Sequence, residues 1–172
     1  MTPVPSIARP LRIHRRAISA LLVGVLAGSL IACSEREHNK MVNVEADDPE
    51  MLGAIAQARS MLPAFWQVFE KPEQGDSNFA LKVLVTDQRG TEYFWATGIA
   101  RRDGKILGTI DNEPNIVGSV KFGDRIEIAE GDISDWTYMR NGRMVGNYTV
   151  RPLFKRMPAS EVERIKKMLA DP

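Results

Sequence analysis

Carboxylates are the residues of this chain best suited to acid–base chemistry. Asp111 and Glu113 flank Asn112, and Asp132 and Asp135 stand just ahead of Trp136. A glycosidase-type mechanism needs two carboxyl groups about 5–9 Å apart, one of them with a raised pKa. Asp135, beside an indole, is the candidate for the raised value. Aspartates placed before strands also cap turns by accepting backbone N–H bonds, and that reading weighs more here. Asp111, Asn112 and Glu113 carry oxygen ligands for calcium, but their spacing lacks the loop pattern of a hand-type site, so no metal is expected.

The rest of the catalytic inventory is confined to the start of the chain. The histidines, His14 and His38, and the single cysteine, Cys33, all precede residue 39. Beyond that point serine–histidine and cysteine–histidine catalysis have no members to draw on. Zinc, copper, haem and iron–sulfur centres lose their usual ligands there as well. There is no Gly-x-Gly-x-x-Gly after a strand and no P-loop, so a nucleotide has no cradle. Neither a catalytic residue nor a cofactor is expected in the folded part.

Cys33 has a different chemistry. Residues 1–16 carry Arg9, Arg12, Arg15 and Arg16 and no acid, and an uncharged, mostly apolar run follows from Ala17 to Ala32. A basic segment, an apolar segment and a small residue before the cut read as a secretory signal peptide over 1–32. A transmembrane helix is the rival reading, yet 16 residues at ~1.5 Å each reach about 24 Å against a ~30 Å hydrocarbon core. Leu30-Ile31-Ala32-Cys33 is similar to the bacterial lipobox, in which the cysteine becomes the lipidated first residue of the mature protein. Two or three acyl chains would make attachment effectively permanent, since each buried methylene contributes about 0.8 kcal/mol. Ser34, by resemblance to lipoprotein sorting, favours the outer membrane with the domain in the periplasm. Loss of residues 1–32 removes four arginines and no acid, turning a formal charge of +1 into −3. No basic block survives to neutralise a run of phosphates, so nucleic acid is not an expected partner.

The mature protein divides into a tether, 33–46, and one domain, 47–172, large enough for a single core. Asp48-Pro49-Glu50 starts a helix, with an N-cap acceptor and a proline at its first position. Met51, Leu52, Ile55, Ala58 and Leu62 follow at helical spacing, and Pro63 ends or kinks the helix. Ala64 to Glu70 adds a second short helix with Phe65, Trp66 and Phe69 toward the core. After a polar loop over 71–78, a period of two marks strands at Phe79–Thr86, Glu92–Arg101, Lys105–Ile110 and Arg125–Ala129. A closing helix, Pro158–Leu169, carries Val162, Ile165, Met168 and Leu169 on one face, with Ser160 and Glu163 as its capping box.

Between that last early strand and the closing helix, Asn141-Gly142 marks a tight hairpin. A two-residue loop pairs Arg140 with Arg143, Met139 with Met144, Tyr138 with Val145 and Thr137 with Gly146. The same register sets Trp136 opposite Asn147 and Asp135 opposite Tyr148. Trp136, Tyr138, Val145 and Asn147 then share one face, and Asp135, Met139, Met144 and Tyr148 the other. Neither face is cleanly polar, so either both are covered or one is recessed for a ligand or partner. Arg140 and Arg143 repel at the tip unless an acid intervenes; the tip offers a contact to an acidic partner, but a solvated hairpin end is the weightier reading. The expected fold is α+β: about six antiparallel strands, strongly twisted and able to curl toward a barrel, with a helix at each end.

Several stretches together resemble the YegJ-like bacterial domain of unknown function. They are Asp47-Asp48-Pro49-Glu50-Met51 with Ala58-Arg59, Phe79-Ala80-Leu81-Lys82-Val83 and Asp111-Asn112-Glu113-Pro114. Ile133 to Met139 and Gly142-x-x-x-Gly146-Asn147-Tyr148-Thr149 complete the likeness, which spans 45–155. The resemblance carries no activity, ligand or catalytic residue. Related domains beside ankyrin-type repeats and near toxin-immunity proteins imply binding by association. The expectation is a non-enzymatic envelope lipoprotein that binds a protein partner, as an immunity-like inhibitor for example, and is held to the membrane through Cys33. Its candidate surface comprises Asp135, Trp136, Tyr138, Asn147, Tyr148, Arg140, Arg143, Asp111 and Glu113. The alternative is a carboxylate-dependent hydrolase or binder of envelope glycan.

Overall fold

A computed structural model of the protein describes residues 48–170. The leader, Cys33 and the tether fall outside the described residues. Two helices, α1 (Pro49–Ser60) and α2 (Leu62–Glu70), precede the strands β1 (Asp76–Asp87), β2 (Gly90–Arg102), β3 (Lys105–Ile110) and β4 (Arg125–Ile128). Then come β5 (Ile133–Arg140), β6 (Arg143–Gly146), a 3-10 segment (Tyr148–Arg156) and the helix α3 (Ala159–Met168). The domain is α+β, and its strands form one antiparallel sheet in the order β4-β3-β2-β1-β5-β6. The sheet is open, with β4 and β6 at its edges, and does not curl into a barrel.

The helices start for the reasons the sequence offers. The Asp48 carboxylate accepts from the amides of Glu50 at 2.9 Å and Met51 at 3.4 Å, and Pro49 fills a first-turn position whose missing N–H costs nothing. Pro63 does the same for the next helix: α1 stops at Ser60, Met61 is the hinge, and Pro63 sits in the first turn of α2. Leu52, expected on the buried stripe, is 50% exposed. Among the described residues no helix is long and apolar enough to cross a membrane.

One sheet face takes the helices. Ala58, Leu62, Phe65 and Trp66 pack with Leu81, Val83, Phe94, Ala96, Ile110, Trp136 and Tyr138 into the core. Phe65 is central, with ring centroids 5.4 Å from Trp136, 5.0 Å from Trp66 and 5.9 Å from Phe79. Trp136 is fully paired in this setting, because its indole N–H donates to the Ala58 carbonyl at 2.8 Å.

Three differences from expectation bear on the hairpin and its surroundings. β1 starts at Asp76 rather than Phe79, because Asp76 and Ser77 pair with Arg140 and Met139 before a register shift at Asn78, whose φ is 53°. The hairpin register holds from Arg140/Arg143 to Thr137/Gly146 and then ends. Gly146 and Asn147 both adopt positive φ, 82° and 50°, which a ladder cannot continue through, and the backbone rolls into the 3-10 segment. Tyr148 therefore does not share a face with Asp135; its ring meets Trp136 edge-on at 5.5 Å. At α3, Pro158 occupies the cap without a side-chain bond, and Ser160 and Glu163 lie inside the helix, so the capping box does not form.

Candidate functional site: a cleft beside the hairpin

Asp135 is sealed. Its side chain is fully buried, and both oxygens are spent on four donors, one on β5 itself and three from the segment that follows β6. Oδ1 accepts from the amides of Trp136 at 2.8 Å and Tyr148 at 3.1 Å, and Oδ2 accepts from the Thr149 amide and hydroxyl, each at 2.7 Å. Burial pushes this carboxyl up, and the four donors hold it back. The left-handed pair Gly146-Asn147 is what swings the amides of Tyr148 and Thr149 under the carboxylate. Asp135 thus does what the weightier sequence reading expected, accepting backbone N–H groups, and it clamps the place where β6 ends.

A residue absent from the sequence-based candidates shares this network. Lys82 stands opposite Asp135 in the β1–β5 register and opposite Trp95 in the β1–β2 register. Its ammonium donates to the Thr149 hydroxyl at 3.0 Å and lies 5.5 and 6.0 Å from the rings of Tyr93 and Trp95. Burial lowers its pKa, against the pull of the Asp135 charge. A lysine in a strand run that is otherwise Phe-Ala-Leu-Val was the available signal, since a lone charge there asks for a partner across the sheet.

Asp111 and Glu113 are exposed, in the loop that joins β3 to β4. Ile110 aligns with Ala96, Leu81 and Trp136 across the sheet. Three strand spacings at ~4.8 Å put Asp111 about 14 Å from Asp135, beyond the 5–9 Å that paired carboxylates need. Asn112 is occupied, its Oδ1 accepting from the Trp95 amide at 2.9 Å. Among the described residues no three His, Cys, Asp or Glu side chains are grouped to hold a metal ion. The loop itself is tied down by other acids. Glu92, 3% exposed, accepts from the amides of Asn115, Ile116 and Val117, and Asp87 accepts from those of Gly118 and Ser119. Five successive N–H groups close on two carboxylates, an inward-facing anion nest.

The tip arginines are also engaged, and do not face each other unpaired. Arg140 grips both oxygens of Asp76 at 2.7 and 2.8 Å and lies 5.4 Å from the Tyr138 ring. That bond holds Asp76 below the usual carboxylate range and raises Arg140. Arg143 turns the other way and donates to the Leu169 carbonyl. Asn147 donates its side-chain amide to the Met144 sulfur at 3.0 Å. The intervening acid at the tip comes from β1, and Arg143 stays exposed.

The three buried rings of the candidate surface instead form one wall of a cleft. Trp136, Tyr138 and Tyr148 are 3, 4 and 6% exposed overall, and they border an opening of about 170 Å³ between α2, the hairpin and the 3-10 segment. Phe65 and Val68 from α2 supply the opposite wall, with Met61 and Ala64 exposed at the rim. Trp136 and Tyr138 stack nearly parallel, 13° apart at 6.2 Å. Among the described residues the one charged lining residue is Arg151. Its Nη1 donates to the carbonyls of Gly146 at 3.0 Å and Asn147 at 2.9 Å, and the guanidinium lies 5.2 Å from the Tyr148 ring. Burial pushes both tyrosine hydroxyls up, and the Arg151 charge pulls Tyr148 partly back. An apolar recess with a fixed cation suits recognition. At about 170 Å³ it falls below the ~300 Å³ at which small-molecule pockets begin and is of a size for a single side chain.

Comparison with known proteins follows the domain closely. The sequence model of a bacterial family, described as "Uncharacterized protein conserved in bacteria (DUF2314)", matches residues 48–170. That match runs through α3, past residue 155 where the resemblance seen in the sequence ends. "Uncharacterized protein YegJ" of Escherichia coli (strain K12) is 36% identical over 123 residues, 72% of this chain and 79% of that protein. "Putative ankyrin repeat protein NMB1133/NMB1171" of Neisseria meningitidis serogroup B is 28% identical over 126 residues, 69% of this chain and 50% of that protein. The chain thus spans half the length of the Neisseria relative. No solved structure matches the chain.

Proposed function

The chain belongs to the DUF2314 family of uncharacterized bacterial proteins, and from that premise we propose that it is a non-catalytic envelope lipoprotein whose domain holds a protein partner in the cleft beside the hairpin. The observation that carries this reading is the cleft itself: an aromatic and aliphatic recess, open at Met61 and Ala64, with a single immobilised cation at its edge. Such recesses accept one anchoring side chain of a partner, and buried aromatic walls supply most of the energy of such anchors. The Neisseria relative carries a repeat name, and ankyrin repeats are extended binding surfaces. A hydrolytic reading has less support, because Asp135 is sealed and Asp111 lies about 14 Å away by strand spacing. The lipid anchor on Cys33, outer-membrane retention and a periplasmic domain are the setting of this proposal.

Site-specific photo-crosslinking tests it in the protein as the cell makes it. A photoreactive residue replacing Met61 should yield one discrete adduct in the envelope fraction. That adduct should disappear when Ala64→Glu, on an exposed helical position, is added to fill the mouth. No adduct, or one indifferent to Ala64→Glu, overturns the reading. The setting is tested separately by the mass of the mature N-terminus, which should be that of an acylated Cys33.

A further inference from the structure

Beside the cleft, the edge of the sheet is covered by a short segment of the chain itself. Leu169 bridges Met144 in parallel, as an isolated pair outside the named strands. The Ala170 amide donates to the Met144 carbonyl at 2.7 Å, and the Arg143 guanidinium donates to the Leu169 carbonyl. Both bonds read backbone alone, so they select an extended segment without regard to its side chains. Side chains alternate along extended backbone, and bridged residues point to the same face of a sheet. With Leu169 on the Met144 side, Ala170 falls on the Val145 side, and Ala170 and Val145 both line the cleft. The segment thus presents a single methyl group to an opening of about 170 Å³.

We propose that the protein partner docks as an extended strand: its backbone takes the place of Leu169 and Ala170 against β6, and its aromatic side chain at the Ala170 position enters the cleft. This deepens, and rests on, the binding role proposed above, and it names the form in which the partner is held. The resident segment shows the seat in use, because it makes the two backbone bonds and the parallel alignment that an incoming strand would repeat. It is held to β6 by one bridge, and a segment tied by so few bonds opens locally at small cost. An incoming strand restores those bonds and adds a buried ring where alanine leaves space. The walls suit a ring: Trp136 and Tyr138 stack on one side, Phe65 stands opposite, and Tyr148 meets Trp136 edge-on. The paired stretch is short, since β6 runs from Arg143 to Gly146 and Asn147 is left-handed. Asp171 and Pro172, outside the described residues, play no part in it.

Peptide titration of the full-length protein in detergent, read at the indole N–H resonances, tests the exchange. Trp136 lines the cleft and the other two tryptophans do not. The probes are acetyl-Met-Leu-Phe amide, which repeats residues 168–170 with the ring in place of the methyl, and acetyl-Met-Leu-Ala amide, which repeats them unchanged. A third probe is the first with its phenylalanine nitrogen methylated, which removes the N–H that the Met144 carbonyl would accept. The phenylalanine peptide should shift Trp136 selectively and bind ten times or more tighter than either of the others. Ala170→Phe in the protein should shift Trp136 by itself and abolish binding of the peptide, because the resident strand then fills its own cleft. Equal binding of the methylated and unmethylated peptides, or of the alanine and phenylalanine peptides, overturns the strand mode while leaving the cleft as the docking site. An Ala170→Phe protein that binds the peptide unchanged overturns it too. No shift of Trp136 with any peptide also overturns it, and the docking role is then decided by the Met61 crosslink alone.

Discussion

At the scale of single residues, the identity of Asp135 matters for the path of the backbone after β6. Asparagine at this position keeps one acceptor oxygen where four donors converge and turns an NH2 group toward some of them. It also removes the charge that compensates the half-buried Lys82 ammonium. Leaving buried donors and a buried charge uncompensated costs about 3 kcal/mol or more. Asp135→Asn is therefore expected to lower the unfolding free energy by about 3 kcal/mol in urea titrations, and a loss under about 1 kcal/mol would refute the clamp. The sequence made Asp135 and Trp136 conspicuous, and both do occupy the centre of the fold. That Asp135 accepts backbone N–H groups was legible, but which ones was not, because three of its four donors arrive through two left-handed residues and alternation along a strand extrapolates straight past such a break. Lys82 was missed for a related reason: its partners come from three other segments, β2, β5 and the residue after Tyr148.

At the scale of elements, the long loop between β3 and β4 owes its shape to Glu92 and Asp87. Burial raises the Glu92 pKa, but the amides of Ile116, Asn115 and Val117 lower it further, so the net shift is down. Asp87 is lowered in the same sense, first by the Gly118 amide. A carboxylate with a lowered pKa in the folded state contributes stability that is complete above its ordinary pKa and is lost as pH falls through the folded value. Glu92→Gln should thus cost about 2 kcal/mol at pH 7, and the gap from the unsubstituted protein should narrow in the acid range below about pH 4.5. Denaturant curves at pH 7, 4 and 3 measure this, and a gap that does not change with pH would contradict it. The sequence showed the loop's punctuation, Asp111 to Pro114, and drew attention to the acids within it, whose weightier reading was turn capping. The acids that matter sit on the neighbouring strands, and only the sheet order brings them under residues 115–119.

For the molecule as a whole, the open sheet raises the question of what guards its two edges. The order and number of elements followed from periodicity, whereas closure depended on twist summed over six strands, which no local pattern reports. An open edge is a template for pairing with another polypeptide. At β4 the defence is charge and brevity: the strand has four residues, with Arg125 and Glu127 exposed and Glu127 tied to Lys105. At β6 the defence is the last of the described residues. Leu169 bridges Met144 in parallel, the Ala170 amide donates to the Met144 carbonyl at 2.7 Å, and Arg143 binds the Leu169 carbonyl. Removal of residues 169–172 strips this pairing and leaves Met144 and Val145 on an unguarded strand beside the cleft. The truncated protein should self-associate in a concentration-dependent way at micromolar levels, as sedimentation velocity would detect, while the uncut protein should not do so through this edge. Restoring a guard by Met144→Lys, an inserted charge on the edge strand, should reverse the association. A truncated protein that remains monomeric would assign the last residues to the cleft, where Ala170 forms part of the lining, rather than to protection of the sheet.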